Sequence, residues 1–132
     1  MSKRRQKKIE DLIERELSYI VHRRIKDPRL EGVTVTGVQV SADYRYADIY
    51  IYRLGGEPSS LQEAMEGIAS AAGFIRHELA GLLSIRQVPE LRFQIDESIV
   101  YGERIEALLK RIAQERQMDG DNSDKTGGET DH

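Results

Sequence analysis

Cationic side chains are the residues whose types and spacing most clearly support a chemistry, and that chemistry is the binding of phosphate. Residues 1–30 contain ten lysines and arginines against five acids, although the whole 132-residue chain has a net charge of −3. A segment this basic is typical of a protein that meets a polyanion with one face. The alternative is an ordinary solvated helix face. The candidate phosphate ligands here are Lys3, Arg4, Arg5, Lys7, Lys8, Arg15, Arg23, Arg24 and Lys26.

Catalytic and metal-binding chemistry has little support in the sequence. The three histidines, His22, His77 and His132, are scattered, and the absence of cysteine excludes disulfides and thiolate metal ligands. Asp96 and Glu97 are adjacent, so in a strand their carboxylates point to opposite faces and do not converge. The sequence contains no phosphate-binding loop and no nucleophile elbow. We therefore predict a non-enzymatic protein that needs no metal or cofactor.

A long amphipathic helix must carry the basic segment. Apolar residues recur at three- and four-residue steps, which predicts one helix of about five turns. This helix should end at Asp27-Pro28, because the residue before proline is pushed out of the α region. Five cations crowd its N-terminal end, where the helix dipole favours anions. We interpret this as a cost of function; the alternative is a frayed, solvated start. The apolar stripe comprises Ile9, Leu12, Ile13, Leu17, Ile20, Val21 and Ile25.

Three alternating segments predict a three-stranded sheet. Valines in residues 33–40 change parity at Gly37, which predicts a β-bulge there. Residues 47–52 and 91–96 alternate apolar and polar side chains. Two helical stretches between the second and third strands should lie on one side of the sheet, so we predict an α+β domain with its helices on one face. The opposite face would carry Tyr50, Tyr52, Arg92 and Gln94.

A small-residue break, Ala71-Ala72-Gly73, interrupts the helical stripes between the second and third strands. Small residues allow a nucleic-acid backbone to approach closely, and a following helix N-terminus presents free N–H groups to phosphate. Arg76 lies one turn beyond this break, and Arg86 lies at the predicted helix end. Arg86 also suits the C-terminal helix dipole. The alternative is a simple helix bend that lets Phe74 pack.

Tyrosines near the first hairpin are interleaved with a cation. Tyr44, Arg45 and Tyr46 are followed at strand spacing by Tyr50 and Tyr52. Such sets stack bases in some RNA-binding sheets. Most tyrosines at this spacing are cross-strand packing pairs, and both interpretations stay open.

The C-terminal part of the chain predicts a short last helix and then a tail. Gly102 opens the helix, and apolar residues continue to Ile112. Residues 118–132 contain five acids and one lysine and little that could be buried, so we predict a disordered acidic tail. The predicted domains are residues 1–117 and the tail 118–132. With no signal segment and no long apolar run, we expect a cytoplasmic protein.

The run from Ser70 to Asp96 resembles the ribosome-binding factor A family. The resemblance rests on GFIRHEL, a basic helix end and VPELRFQIDES, preceded by a basic helix and a hairpin, and it covers about residues 2–116. It implies a KH-like fold of type II, with the order helix, strand, strand, helix, kink, helix, strand and a short C-terminal helix. The family joins its two central helices nearly continuously at an Ala-x-Gly kink, and Ala71-Ala72-Gly73 departs from the Gly-x-x-Gly loop of other KH domains.

The resemblance also implies a function. Family members are assembly factors that bind free or immature small (30S) ribosomal subunits and promote late maturation and 16S rRNA processing. They are associated with growth in the cold, and an assembly GTPase is a further partner of some. Nothing in the sequence indicates more than a monomer, which is the expected state. The residues leave two rivals open. One is a general single-stranded RNA- or DNA-binding KH module, and the other is a protein-interaction adaptor that uses the tyrosine-rich sheet face.

Overall fold

The order of elements confirms the predicted α+β fold. A computed structural model describes residues 3–53, 58–83 and 87–125 of the chain. It contains helix α1 (Lys3–Tyr19), a π-helical turn (Ile20–Arg24), a 3-10 turn (Pro28–Leu30), strands β1 (Val33–Val40) and β2 (Tyr46–Arg53), helix α2 (Pro58–Leu82), strand β3 (Glu90–Ile95) and helix α3 (Glu97–Lys125). Two compact units result, Met1–Asp96 and Glu97–His132.

The sheet of the first unit has the order β1-β2-β3. β1 pairs with β2 antiparallel, as a short hairpin allows, whereas β2 pairs with β3 parallel. A parallel pair requires a crossover connection, and α2 lies in that connection. β2 is therefore the central strand, and its inward residues Ala47, Ile49 and Ile51 are almost fully buried.

The predicted β-bulge is confirmed in β1. Val35 pairs with Ile51 and Gly37 pairs with Tyr50, so the register shifts between Val35 and Gly37. The extra residue is Thr36, whose hydroxyl donates to Asp96 Oδ2 at 2.6 Å. The bulge brings the valines on both sides of it to the core face.

The core forms where α1 and α2 cover one face of the sheet. The predicted stripe of α1 is confirmed, because Ile13 and Leu17 are fully buried and the π-helical turn continues the stripe with Ile20 and Val21. Burying each such side chain contributes about 1.5–3 kcal/mol. α2 supplies the opposing layer through Ala64, Ile68, Ile75 and Leu79.

Helix α2 corrects the prediction of two helices separated by a break. Its 25 residues are helical throughout, including Ala71, Ala72 and Gly73. The small residues do not end the helix, because Ile68 on one side and Ile75 on the other are both buried in the same core. Packing of the helical segments before and after Ala71-Ala72-Gly73 into one core thus holds these three residues in helical geometry.

Gly67 is the glycine of α2 that packing requires. A Cβ atom built there would lie 3.0 Å from Leu30 Cδ2 and 3.1 Å from Arg29 Cβ. The 3-10 turn after α1 therefore rests directly on the backbone of α2. This approach was not predicted from the sequence, because it joins residues that are distant along the chain.

Helix α3 is longer than the sequence predicted. It has 29 residues and runs to Lys125, so it includes the predicted boundary at residue 117 and the first part of the predicted tail. Residues 126–132 of that tail lie outside the described residues. Tyr101, Leu108 and Leu109 are among its exposed apolar residues, with exposed fractions of 66%, 48% and 59%.

Candidate nucleic-acid interface

The middle of α2 presents two small exposed residues, Ala72 and Gly73, beside larger ones. Ala72, Gly73, Arg76 and His77 are exposed, and so is 42% of Phe74. A Cβ atom at Gly73 would meet no atom within 4 Å. Packing among the described residues therefore does not require glycine at this position, and Phe74 does not use the small residues to bury its ring.

A groove runs from this surface toward β3. It encloses a cavity of about 180 Å³, to which α2 contributes Ala72, Gly73 and Arg76. β3 closes the other side with Glu90, Leu91 and Phe93. The groove therefore combines apolar side chains with one cation, Arg76, and one acid, Glu90.

A second cavity, of about 190 Å³, continues the groove. Arg76 and Glu90 line both cavities. The hairpin adds Tyr44, Arg45 and Tyr46, and the segment before β3 adds Gln87 and Val88. The structure thus brings together Arg45 and Arg76, which the sequence indicated independently. Neither guanidinium forms an ion pair with any described residue.

On the other side of α2, a cavity of about 320 Å³ adjoins the end of the first helical segment. Ser70, Ala71 and Phe74 line it together with residues 24–27. Arg24 in this cavity is paired, since its Nη2 lies 2.7 Å from Glu78 Oε1. Exposed Lys26, by contrast, has no carboxylate partner among the described residues.

The N-terminal cations lie near the hairpin. The side-chain amide of Gln6 donates to Val40 O at 2.5 Å, and Glu10 Oε2 accepts from Val40 N at 2.9 Å. These bonds place the start of α1 beside the end of β1, where the hairpin that carries Arg45 begins. The five cations at the start of α1 are all exposed: Lys3, Arg4, Arg5, Lys7 and Lys8.

Two predicted ligands on α1 form local ion pairs. Lys7 Nζ lies 3.0 Å from Asp11 Oδ1, and this contact raises the pKa of Lys7. Arg15 Nε lies 3.5 Å from Glu16 Oε1. Such exposed pairs are weak, so both side chains can exchange partners. Exposed Arg23 forms no ion pair with a described residue, and Arg86 lies outside the described residues.

Polar side chains on the open face of the sheet form hydrogen bonds with one another. Asp48 Oδ1 accepts from Arg92 Nε and from the Gln94 amide, both at 2.9 Å. The Arg92 guanidinium carbon also lies 4.6 Å from the centroid of the Tyr46 ring. Tyr52 is only 6% exposed. These contacts favour packing over base stacking for the strand tyrosines.

The sequence predicted a hairpin connection over residues 41–46, but it did not predict the side-chain hydrogen bonds inside this turn. Ser41 Oγ donates to Asp43 Oδ1 at 2.7 Å, and the same oxygen accepts from Arg45 N at 3.1 Å. These bonds hold the pKa of Asp43 below its usual value. The Ser-x-Asp spacing is a turn signal that indicates such a structure.

Metal-binding clusters and membrane-spanning helices are both absent from the described part of the chain. No group of three or more His, Asp or Glu side chains there could hold a metal ion. No helix in that part is both long and apolar enough to cross a membrane.

Comparison with known proteins assigns a family to this geometry. The family model for ribosome-binding factor A matches residues 5–109. Ribosome-binding factor A of Syntrophus aciditrophicus is 44% identical over 117 residues, which cover 89% of this chain and 94% of the relative. The family match includes the whole sheet, α2, and α1 from residue 5 onward.

Solved structures show the same fold. The solution NMR structure of a Thermotoga maritima protein described as a ribosome-binding factor A has a TM-score of 0.61 and 34% identity, covering 71% of this chain and 89% of that one. A homology model of the Thermus thermophilus factor, fitted into the cryo-electron-microscopy map of a 30S complex, has a TM-score of 0.54 and 25% identity, covering 66% of this chain and 90% of that one. The α+β, KH-like chain described here belongs to the ribosome-binding factor A family.

Proposed function

We propose that this protein binds free or immature small ribosomal subunits and promotes late subunit maturation and 16S rRNA processing. Its role is binding, not catalysis. The 30S complex into which the Thermus thermophilus relative was fitted supports this assignment. The observation that carries it is the exposed surface at Gly73, where a Cβ atom would meet no described atom within 4 Å. Arg76 lines the cavity beside Gly73, and Lys26 lines the cavity beside Ala71.

Two contacts make up the proposed mechanism. The basic group Lys3, Arg4, Arg5, Lys7 and Lys8, with Arg15 and Arg23, attracts rRNA phosphates and releases their counterions. The surface at Ala71, Ala72 and Gly73, flanked by Arg76 and Lys26, allows the close approach of the rRNA backbone. Binding is therefore selective for the shape of a folded rRNA surface and tolerant of its base sequence.

A matched pair of glycines tests the second contact. Gly73 and Gly81 are both exposed residues of α2, and a Cβ atom at either meets nothing within 4 Å. Gly73→Leu and Gly81→Leu should therefore both fold. Gly73→Leu should weaken co-sedimentation with small subunits at least tenfold, about 1.4 kcal/mol, whereas Gly81→Leu should not. Equal binding by both variants would contradict the proposed close approach of the rRNA backbone at Gly73.

A salt series tests the first contact and the selectivity. The unmodified protein should co-sediment with free small subunits, more weakly as salt rises, and not with large subunits or assembled ribosomes. Changing Lys3, Arg4, Arg5, Lys7 and Lys8 to Ala should flatten this salt dependence, by about 0.7–0.9 in log–log slope for each phosphate that is no longer neutralised. Unchanged binding would contradict a role for this group. Equal binding to all particles, or binding of a short single strand as tight as that of the small subunit, would indicate a general RNA-binding module.

Three finer features belong to the same proposal. The protein acts in the cytoplasm as a monomer, and it matters most for growth in the cold, where misfolded rRNA persists longest. An assembly GTPase assists its release from the subunit. Retention of the protein on subunits after depletion of such a GTPase, but not after depletion of an unrelated GTPase, would be the expected result.

A further inference from the structure

The turn between β1 and β2 holds a tyrosine in an unfavourable backbone conformation. Tyr44 has φ of 60°, in the left-handed region, and it is the one non-glycine residue with positive φ in the described part of the chain. A bulky L-residue is disfavoured there because its Cβ crowds the backbone. A glycine would avoid this strain, so the tyrosine needs an explanation.

Several hydrogen bonds hold Tyr44 in this state. Tyr44 N donates to Ser41 O at 2.9 Å, and Ser41 N donates to Tyr46 O at 2.8 Å. Asp43 Oδ1 accepts from both the Ser41 hydroxyl and Arg45 N. Several hydrogen bonds thus fix the same turn, and strained backbone persists at functional sites when the surrounding structure holds it in this way.

The tyrosine side chain adds a second departure from ordinary packing. Its ring packs against the core, and its hydroxyl is buried with no hydrogen-bond partner among the described residues. Buried polar groups in native proteins are normally satisfied. Strain and an unsatisfied hydroxyl therefore coincide in the turn that presents Arg45.

This turn brings Arg45 to a cavity that Arg76 also lines. Both residues are exposed, the cavity has a volume of about 190 Å³, and Gln87 is a further lining residue. Arg45 O accepts from Glu90 N at 2.9 Å, so the turn is fixed to the start of β3. Two like charges in one cavity repel each other, and an anion between them removes that cost.

The cavity suits one phosphate group of a larger ligand. Its volume is below the roughly 300–1,000 Å³ of pockets that enclose a small molecule. Guanidinium groups match phosphate oxygens in geometry and charge. Glu90 is the one carboxylate among the described residues that line the cavity, so two positive charges there face one negative charge.

We propose that Arg45 and Arg76 form a clamp for a single backbone phosphate of RNA, positioned by the strained turn at Tyr44. The proposal rests on the proposed function, since it names the group that the same interface takes from rRNA. It extends that function by assigning one phosphate to two residues of separate elements, with the Gln87 amide as a neutral donor beside them.

NMR titration tests the clamp without ribosomes. The Nε–H signals of Arg45 and Arg76 in the full-length protein should shift saturably with a uridine tetranucleotide, while that of Arg111, an exposed arginine of α3, should not. Shifts shared equally by Arg111 would overturn the clamp. Inorganic phosphate at equal phosphate-group concentration and ionic strength should shift the two signals less. An equal or larger effect would assign the cavity to a free anion and overturn the RNA proposal.

A double-mutant cycle on small subunits tests whether both residues hold the same phosphate. Arg45→Gln and Arg76→Gln should each weaken binding about tenfold, as expected for a charge-assisted hydrogen bond. The double variant should lose clearly less than the product of about a hundredfold, because the first change already disables the clamp. Additive losses would mean two independent contacts and would overturn the proposal.

The two experiments separate the clamp from the proposed function. If the unmodified protein does not bind small subunits but the tetranucleotide shifts Arg45 and Arg76, the function fails and the clamp stands. If the protein binds subunits but the tetranucleotide leaves both signals unchanged, or the cycle is additive, the clamp fails and the function stands.

Discussion

Arg24 and Glu78 form an ion pair, with 2.7 Å between Nη2 and Oε1, that ties the π-helical turn after α1 to the C-terminal part of α2. Their side chains are 47% and 18% exposed, respectively. A cation selected from the sequence as a phosphate ligand thus has a carboxylate partner inside the protein. The neighbouring Arg23 is exposed and has none among the described residues.

This difference predicts distinct effects for two adjacent arginines. Arg24→Gln should lower the free energy of unfolding by about 0.2–1 kcal/mol, the range for partly exposed ion pairs, and leave the salt dependence of subunit binding nearly unchanged. Arg23→Gln should leave stability unchanged and reduce the salt slope by about 0.7–0.9 if it neutralises one phosphate. Urea unfolding and salt-series binding measure both. The reverse assignment of effects would show that Arg24 is the RNA ligand.

Gly67 should be the glycine of α2 that resists substitution. Gly67→Leu should lower the free energy of unfolding by about 1–3 kcal/mol, because the new side chain must displace Leu30 and Arg29 from close contact. Gly81→Leu, whose Cβ meets open space, should be neutral or stabilising, since leucine favours helix over glycine. Thermal or urea unfolding compares the two. Equal effects would argue against a close contact between the 3-10 turn and α2.

Removing the Tyr44 hydroxyl should stabilise the protein. Tyr44→Phe keeps the ring that packs against the core and deletes the oxygen that has no partner among the described residues. The free energy of unfolding should rise by about 1–3 kcal/mol, the cost of a buried unsatisfied group. Tyr50→Phe is the matched control on β2. A loss of stability in Tyr44→Phe would mean that the hydroxyl has a favourable partner in solution.

The hairpin should weaken in acid. The Ser41 hydroxyl, followed by the Arg45 backbone N–H, holds the pKa of Asp43 below its usual value. A carboxylate whose pKa is lower in the folded state adds stability above its unfolded pKa, and this stability is lost as pH falls through the folded pKa. The loss should therefore begin below about pH 4. Asp43→Asn should show a flatter decline in unfolding free energy in that window, and an unchanged decline would exclude Asp43 as its source.

Local patterns in the sequence determined most of the fold. The three- and four-residue steps of α1 predicted the stripe that is buried, and the parity change at Gly37 predicted the bulge between Val35 and Gly37. Both signals are local, because they follow from the periods of helix and strand. The resemblance at residues 70–96 likewise indicated the family that the comparisons established.

Only the tertiary structure decided how α2 and the interface are built. The sequence at Ala71-Ala72-Gly73 predicted a break, yet burial of Ile68 and Ile75 in one core keeps the helix continuous. Small residues have weak intrinsic preferences, and packing overrides them. Likewise, the convergence of Arg45 with Arg76 and the pairing of Arg24 with Glu78 depend on the crossover that returns α2 over the sheet. Such pairings between distant residues leave no periodic signal in one sequence. A sequence shows which residues are charged, but only the folded backbone determines which of them become neighbours.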